Sequence, residues 1–208
     1  WNPDPLVSDE DRKFWAFQPP RRPRVPRMPA AARVSNPIDA FLLQKLQARG
    51  LDYGPAADRL TMVRRAAFDL TGLPPTWQDV ETFLSDEQPG AYTRMLDRFL
   101  ASRHYGERWG RYWLDLAGYA DSEGKRSADP VRPHAWRYRD YVIRAFNSDK
   151  PYDRFLLEQI AGDELADYES VETITPELMD NLVATGFLRM APDGTGSDIV
   201  NTVAERFE

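Results

Sequence analysis

The groups able to do chemistry are few and unevenly placed. Only two imidazoles exist, His104 and His134, and each opens a run dense in aromatic and charged residues. The first is His104-Tyr-Gly-Glu-Arg-Trp-Gly-Arg-Tyr-Trp-Leu-Asp-Leu-Ala-Gly-Tyr-Ala-Asp121 and the second His134-Ala-Trp-Arg-Tyr-Arg-Asp-Tyr-Val-Ile143. A transition-metal site would need both histidines plus carboxylates, and would form only if the two runs packed parallel, so none is assigned. The carboxylates near these runs would suffice for two-carboxylate glycoside hydrolysis, with Asp115, Asp121, Glu123 and Asp163 as the candidate acids. Trp109, Trp113 and Trp136 are the candidate sugar platforms. Spacing selects no pair among the acids. The competing reading is structural: Glu107 pairs with Arg111 one turn on, Asp115 with Arg108 or Arg111, and Asp140 with Arg137 or Arg144. Asp163 and Glu164 after Gly162 then read as a solvated helix end. No phosphate loop, dinucleotide fingerprint, nucleophile elbow or His-Glu-x-x-His is present.

The elements that must position these residues are helices. At about 100° per residue the first run places Tyr105, Trp109, Tyr112, Trp113, Leu116 and Ala120 on one face, expected to be core. His104, Arg108, Arg111, Asp115 and Tyr119 form the neighbouring polar stripe. Asn36 caps a helix with Pro37 at its first position, and Gly50 stops it. Asp58 caps the next, which breaks at Thr71-Gly-Leu-Pro-Pro75, and Thr76 with Asp79 forms a capping box for a third. Tyr92, Met95, Leu96, Phe99 and Leu100 mark a fourth by spacing. A helix beginning at Lys150-Pro151 carries Tyr152, Phe155, Leu156 and Ile160, and Thr175-Pro-Glu177 caps another with Met179, Leu182, Val183 and Phe187. A turn over 192–196 leads to a last helix. The polar stretch from Ser122 to Arg132 is the longest interruption between the two aromatic helices, and an opening is expected there.

The result is an all-α fold, a compact bundle of about eight short amphipathic helices. Before it, residues 1–35 hold Phe14, Trp15 and Phe17 as an aromatic anchor. A stiff strap follows, in which Pro19, Pro20, Pro23, Pro26 and Pro29 alternate with arginines and can form neither helix nor central strand. Residues 36–208 form the single helical domain, read as truncated at its C-terminus.

With 208 residues, 42% of them hydrophobic, the chain can bury a sizeable core. The net charge of −6 argues against nucleic acid or an anionic membrane as partner. No cysteine is present, which excludes disulfides, zinc thiolates, iron–sulfur clusters and thioether attachment of haem to this chain. No apolar run reaches the roughly 18 residues of a membrane span. The start at Trp1 and the end at Glu208, inside a helical pattern, are read as those of a processed or excised piece.

Eight blocks, among them Asn36-Pro-Ile-Asp-Ala-Phe41, Arg64-Arg-Ala-Ala-Phe-Asp-Leu-Thr-Gly-Leu-Pro-Pro75, His104-Tyr-Gly-Glu-Arg-Trp109, Asp149-Lys-Pro-Tyr-Asp153 and Ala161-Gly-Asp-Glu-Leu165, occur in an order that resembles a planctomycete-type cytochrome-associated domain of unknown function. The resemblance runs over essentially residues 13–208. It implies export, a preceding cytochrome c-like domain, a following C-terminal domain, and a haem-attachment motif just beyond residue 208. This fragment would then bind no haem covalently and would support electron transfer by a haem c held elsewhere. In that reading the aromatic helices shield the haem edge, and Arg108, Arg137 and Arg139 reach its propionates. Such a domain would meet the other domains of its own polypeptide and a redox partner. In the hydrolase or glycan-binding alternative, the partner is a polysaccharide. Two positions depart from the family pattern, which has histidine where Tyr112 stands and arginine where Gly118 stands. Within the resemblance, His104 and His134 are left as axial-ligand candidates.

Overall fold

The computed structural model describes residues 8, 10–29, 33–122, 129–165, 168 and 171–190. The chain divides into two compact units, Trp1–Ala56 and Ala57–Glu208. In the first, two short 3₁₀ turns, Asp11–Lys13 and Trp15–Phe17, present Phe14 to Trp15 and to Phe17, with ring centroids 5.8 and 6.0 Å apart. All three rings are exposed. Residues 19–29 take no helix or strand, as five prolines dictate. Helix α1 (Pro37–Gln47) starts in a reciprocal capping box of Asn36 and Asp39 and buries Ala40 and Leu43. Val25, Pro26, Met28 and Pro29 share a cleft with Pro37 and Ala40. After Gly50, at φ +68°, the chain folds back, and Tyr53 donates its hydroxyl to the Asp39 carbonyl at 2.8 Å. Arg33 secures the return by donating to the carbonyls of Tyr53 and Gly54.

The second unit begins with α2 (Arg59–Thr71), α3 (Trp77–Ser85) and α4 (Ala91–Leu100), joined by tight turns. Asp58 caps α2, and Thr76 with Asp79 makes a capping box on α3. Their apolar faces meet in a core of Val63, Ala66, Ala67, Phe83, Met95 and Phe99. Asp86, between α3 and α4, accepts from Arg94 Nε on Oδ2 at 2.9 Å and from Arg94 Nη2 on Oδ1 at 2.8 Å. That bidentate pair holds the Asp86 carboxyl below its usual range.

The four helices that follow are α5 (Arg103–Ala117), α6 (Ala135–Asn147), α7 (Tyr152–Ala161) and α8 (Pro176–Ala184). Ser102 caps α5, and Thr175 caps α8 with Pro176 at its first position. Eight α-helices and no strand occur among the described residues, where the only β feature is an isolated antiparallel bridge, Ser122 to Val131. The terminal helix expected after residue 196 lies outside the described residues.

The face that α5 buries differs from the one expected. Gly106, Gly110 and Ala117 are buried with Trp113 beside them, whereas Trp109 and Tyr112 are exposed and Leu116 is 74% exposed. The cause is distance. A Cβ added at Gly106 would lie 2.3 Å from the Ile143 carbonyl oxygen, and one at Gly110 would lie 3.3 Å from Val142 Cγ1. Only a glycine face lets α6 come this close, so the large rings are turned outward. Asn147 fixes the register by accepting from the Gly106 amide at 2.7 Å and donating to the Arg103 carbonyl at 3.1 Å. Because Gly106 meets Asn147 while Trp113 meets Tyr138, the two helices run antiparallel. Gly162 serves the α7–α8 contact similarly, since its added Cβ would be 2.1 Å from the Asn181 carbonyl oxygen.

Gly106→Ala should therefore destabilise the fold by about 3 kcal/mol, at the upper end of ordinary overpacking because the obstacle is backbone. Gly54→Ala, with nothing within 4 Å, should be near neutral. Denaturant unfolding of both variants checks this, and equal midpoints would contradict the close-approach account.

Candidate functional site

The antiparallel bridge brings the ends of the 122–131 stretch together, and the Arg132 amide donates to the Asp121 carbonyl at 2.8 Å. Val131 to His134 are thereby held at the start of α6. Facing them is the end of α8 with its 3₁₀ continuation, Thr185–Arg189. Gly186 lies close against Tyr138, and Arg132 donates to the Met190 carbonyl at 3.1 Å. Between these walls is a cleft of about 490 Å³. Its charged lining is basic, Arg132, Arg137 and Arg189, with His134 and Thr185 beside them. Its apolar lining is Val131, Leu182, Val183 and Met190. Arg137 lies over the Trp136 ring, 5.4 Å from the centroid, an arrangement that pre-orders its planar group. The chemistry offered is recognition of an anion attached to an apolar body.

Tyr138 lines the same cleft and leads into the core. Its hydroxyl donates to Gln159 Oε1 at 2.5 Å, and the Trp113 indole N–H reaches both oxygens, at 3.0 Å from Tyr138 and 2.8 Å from Gln159. Burial pushes the Tyr138 phenol up to about 12, partly offset by the indole hydrogen bond, so it stays a neutral donor. One residue earlier on α7, Glu158 is only 3% exposed. It accepts from Lys150 Nζ at 2.5 Å, Arg154 Nε at 2.7 Å and the Tyr141 hydroxyl at 2.8 Å. Burial alone would raise the Glu158 carboxyl, but these three hydrogen bonds outweigh it and hold the group below its ordinary value. Tyr141 is pushed well above the usual phenol range, by burial first and then by its bond to Glu158. Sequence reasoning passed over Glu158 and Gln159. The available signal was Arg154 and Glu158 one turn apart on α7, with Lys150 just before the helix begins.

Of the candidates named from sequence, His134 and Arg137 line the cleft, and the others lie elsewhere. His104 pairs with Glu107 at 2.6 Å, so Glu107 does not take the expected Arg111. Because α5 and α6 are antiparallel, His104 and His134 are separated by most of the length of α6, about 20 Å. Arg108 rests against Gly72 and over the Tyr112 ring. Arg139 forks onto its neighbour Asp140 at 2.8 and 3.0 Å, and Arg144 takes Asp180, so the expected Asp140 pairings with Arg137 or Arg144 do not form. Asp115 is solvent-exposed 3.8 Å from Arg111. Asp121 accepts from the Tyr119 hydroxyl at 2.6 Å, and burial followed by that bond raises the phenol to about 12. Asp163 is exposed on the 3₁₀ turn Gly162–Leu165 after α7, and Glu123 lies outside the described residues. Trp113 is a core residue, packed edge-on to Phe155 at 4.9 Å, whereas Trp109 and Trp136 are exposed. Among the described residues, no group of three or more potential metal ligands converges, and no helix is long and apolar enough to cross a membrane.

Residues 37–207 match the family profile described as PSCyt2, protein of unknown function (DUF1549). No curated protein and no solved structure matches the chain.

The Glu158 network sets an acid limit on stability. Its folded-state carboxyl is held low, so its contribution is fully present above the ordinary glutamate value and is lost as pH falls through the lower folded value. Glu158→Gln should flatten the acid limb of a stability-versus-pH profile. Glu158→Ala should cost about 3–5 kcal/mol at neutral pH, because it strands Lys150 and Arg154. An unchanged acid limb in Glu158→Gln would assign that limb to other carboxylates.

Proposed function

Since the chain belongs to the PSCyt2 family, whose function is unknown, we propose that it is a helical accessory domain of an exported multidomain protein that carries haem c outside these residues, and that its basic cleft receives the carboxylate edge of that cofactor. The observation that carries this reading is the cleft lining, in which three arginines and His134 face Val131, Leu182, Val183 and Met190. The family label itself points to an association with cytochromes. The donor set fits a propionate edge: guanidinium groups bind carboxylates bidentately, and the aliphatic wall excludes water from the pairing. A thioether-linked haem has no attachment point here, because the sequence contains no cysteine. The bound cofactor would supply the one-electron chemistry. Arg137, over the Trp136 ring, holds a carboxylate in place, while the Tyr138 hydroxyl behind it is engaged by Gln159 and Trp113.

One observation favours a second reading as a glycan-binding module. Trp109, 38% exposed, stands between Tyr105 and Tyr112 with ring centroids 6.4 and 5.6 Å away, a ladder of the kind on which sugar faces stack. Retention of the chain on an insoluble polysaccharide, abolished by Trp109→Ala, would favour it over the haem reading.

Titration of the full chain with iron protoporphyrin IX and with its dimethyl ester, followed in the Soret band, tests the proposal. The free diacid should bind more tightly, and Arg137→Ala should weaken it by about tenfold. Equal binding of the ester would show that the charged edge is not read. An oxidised-minus-reduced spectrum of the exported full-length protein should show c-type Soret and alpha bands, and a featureless spectrum would remove the haem reading.

A further inference from the structure

A second, smaller cleft of about 220 Å³ lies where the α6–α7 turn meets α5. Five of its lining residues are aromatic: Tyr105, Trp113, Phe146, Tyr152 and Phe155. Their rings stand at steep angles to one another. Trp113 and Tyr152 meet at 83° with centroids 6.4 Å apart, Trp113 and Phe155 at 67° and 4.9 Å, Phe146 and Phe155 at 74° and 6.1 Å. Rings so disposed pack edge-on against one another and form an angled wall rather than a flat stack, and a group entering the cleft meets several ring surfaces at once.

The charged residues beside these walls are Asp149 and Lys150. The Lys150 ammonium is turned into the core, 2.5 Å from Glu158 and 4.8 Å from the centroid of the Tyr141 ring, so its charge is already matched. Arg154, the other cation on Glu158, also faces Glu177 at 3.6 Å. Asp149 has no such match. It is exposed and enters no ion pair among the described residues. Its backbone sits at φ +49°, a conformation that side chains seldom adopt, held by the Lys150 amide on the Ala145 carbonyl at 3.0 Å. The cleft therefore combines aromatic walls with one uncompensated negative charge.

That combination selects a cation, and one of a particular kind. Aromatic faces attract positive charge through the ring quadrupole, most strongly when the cation sheds its water. A primary ammonium brings three N–H donors that need acceptors, and one carboxylate cannot satisfy them. A methylated ammonium has few or none, and its methyl groups pack on rings. The volume is below that of pockets for drug-sized ligands, which suits a head group. We propose that the cleft of Tyr105, Trp113, Phe146, Tyr152 and Phe155, with Asp149 beside it, binds a methylated ammonium head group.

The test is a titration of the full chain with choline and with tetramethylammonium, using 3,3-dimethylbutanol as the uncharged isostere of choline, read by calorimetry and by the proton shift of the N-methyl signal. Both cations should bind saturably with an upfield ring-current shift, and the isostere should bind much more weakly. Tyr152 is 65% exposed, so its variants should fold. Tyr152→Leu should weaken binding by about tenfold, Tyr152→Phe should preserve it, and Asp149→Asn should weaken it severalfold. Equal binding of the isostere, or no saturable binding of either cation to a chain whose circular dichroism shows it folded, would overturn the proposal. Sedimentation with phosphatidylcholine against phosphatidylglycerol vesicles distinguishes the sources. Retention on phosphatidylcholine alone supports a lipid head group, and binding of free choline without retention supports a soluble ligand.

Discussion

The close approach of α5 and α6 is the organising constraint of the second unit. Where α5 crosses α6, the Ile143 carbonyl oxygen occupies space that a side chain at position 106 would need, and Val142 nearly fills the space at 110. Two glycines one turn apart let the backbones meet, so dispersion contacts along the seam are dense and neither helix can shift register without losing them. Asn147 pins one end of the seam by two hydrogen bonds, and the Ser122–Val131 bridge closes the other. The placement of Trp113 against Tyr138, and of α6's first turn at the basic cleft, follows from that register. With the small residues turned inward, the large rings of α5 are left on the outside, which is why an aromatic ladder occurs on the surface of a helix that otherwise belongs to the core.

Adjacent positions on α7 then join the two clefts through the interior. Gln159 fixes the hydroxyl of Tyr138, which lines the basic cleft, and the indole of Trp113, which lines the aromatic one. Glu158 draws Lys150 inward, away from the aromatic cleft. Burying an ion pair gains little over a well-packed hydrophobic residue, while breaking one is costly. The network's effect is therefore on geometry more than on net stability: it removes rotamer freedom from side chains on which both clefts rely. Each lone pair on Glu158 that faces a donor is also one that cannot face a ligand, so the chemistry left to the clefts comes from their own lining.

The sequence reading recovered what local rules govern. Asn36, Asp58, Thr76 and Thr175 cap the helices they were expected to cap, Gly50 and Gly72 turn the chain in the left-handed region, and the all-α class follows from the spacing of apolar residues. It failed on α5 because hydrophobic periodicity weighs large side chains, and glycine contributes nothing to that pattern even where it sets the packing. Asp115 pairs with Arg111 as expected, but the assignments of Glu107 and Asp140 failed for a related reason. Spacing along one helix offers Glu107 several partners, and only the rotamers decide for His104. His134 and Arg137 were found because they sit in a conspicuous aromatic run. The opposite wall of their cleft comes from α8, some fifty residues later, and no local pattern brings those segments together. Glu158 and Gln159 fall outside the apolar spacing of α7, and only tertiary contacts bury them.

The isolated bridge between Ser122 and Val131 has an engineering consequence. Its two ends are fixed to each other and to the helices on either side, and Val131, one of those ends, also lines the basic cleft. A label attached at Ser122 therefore sits one backbone contact away from the cleft wall, on the side of α5 rather than of α6, and can report the cleft's occupancy without occupying it.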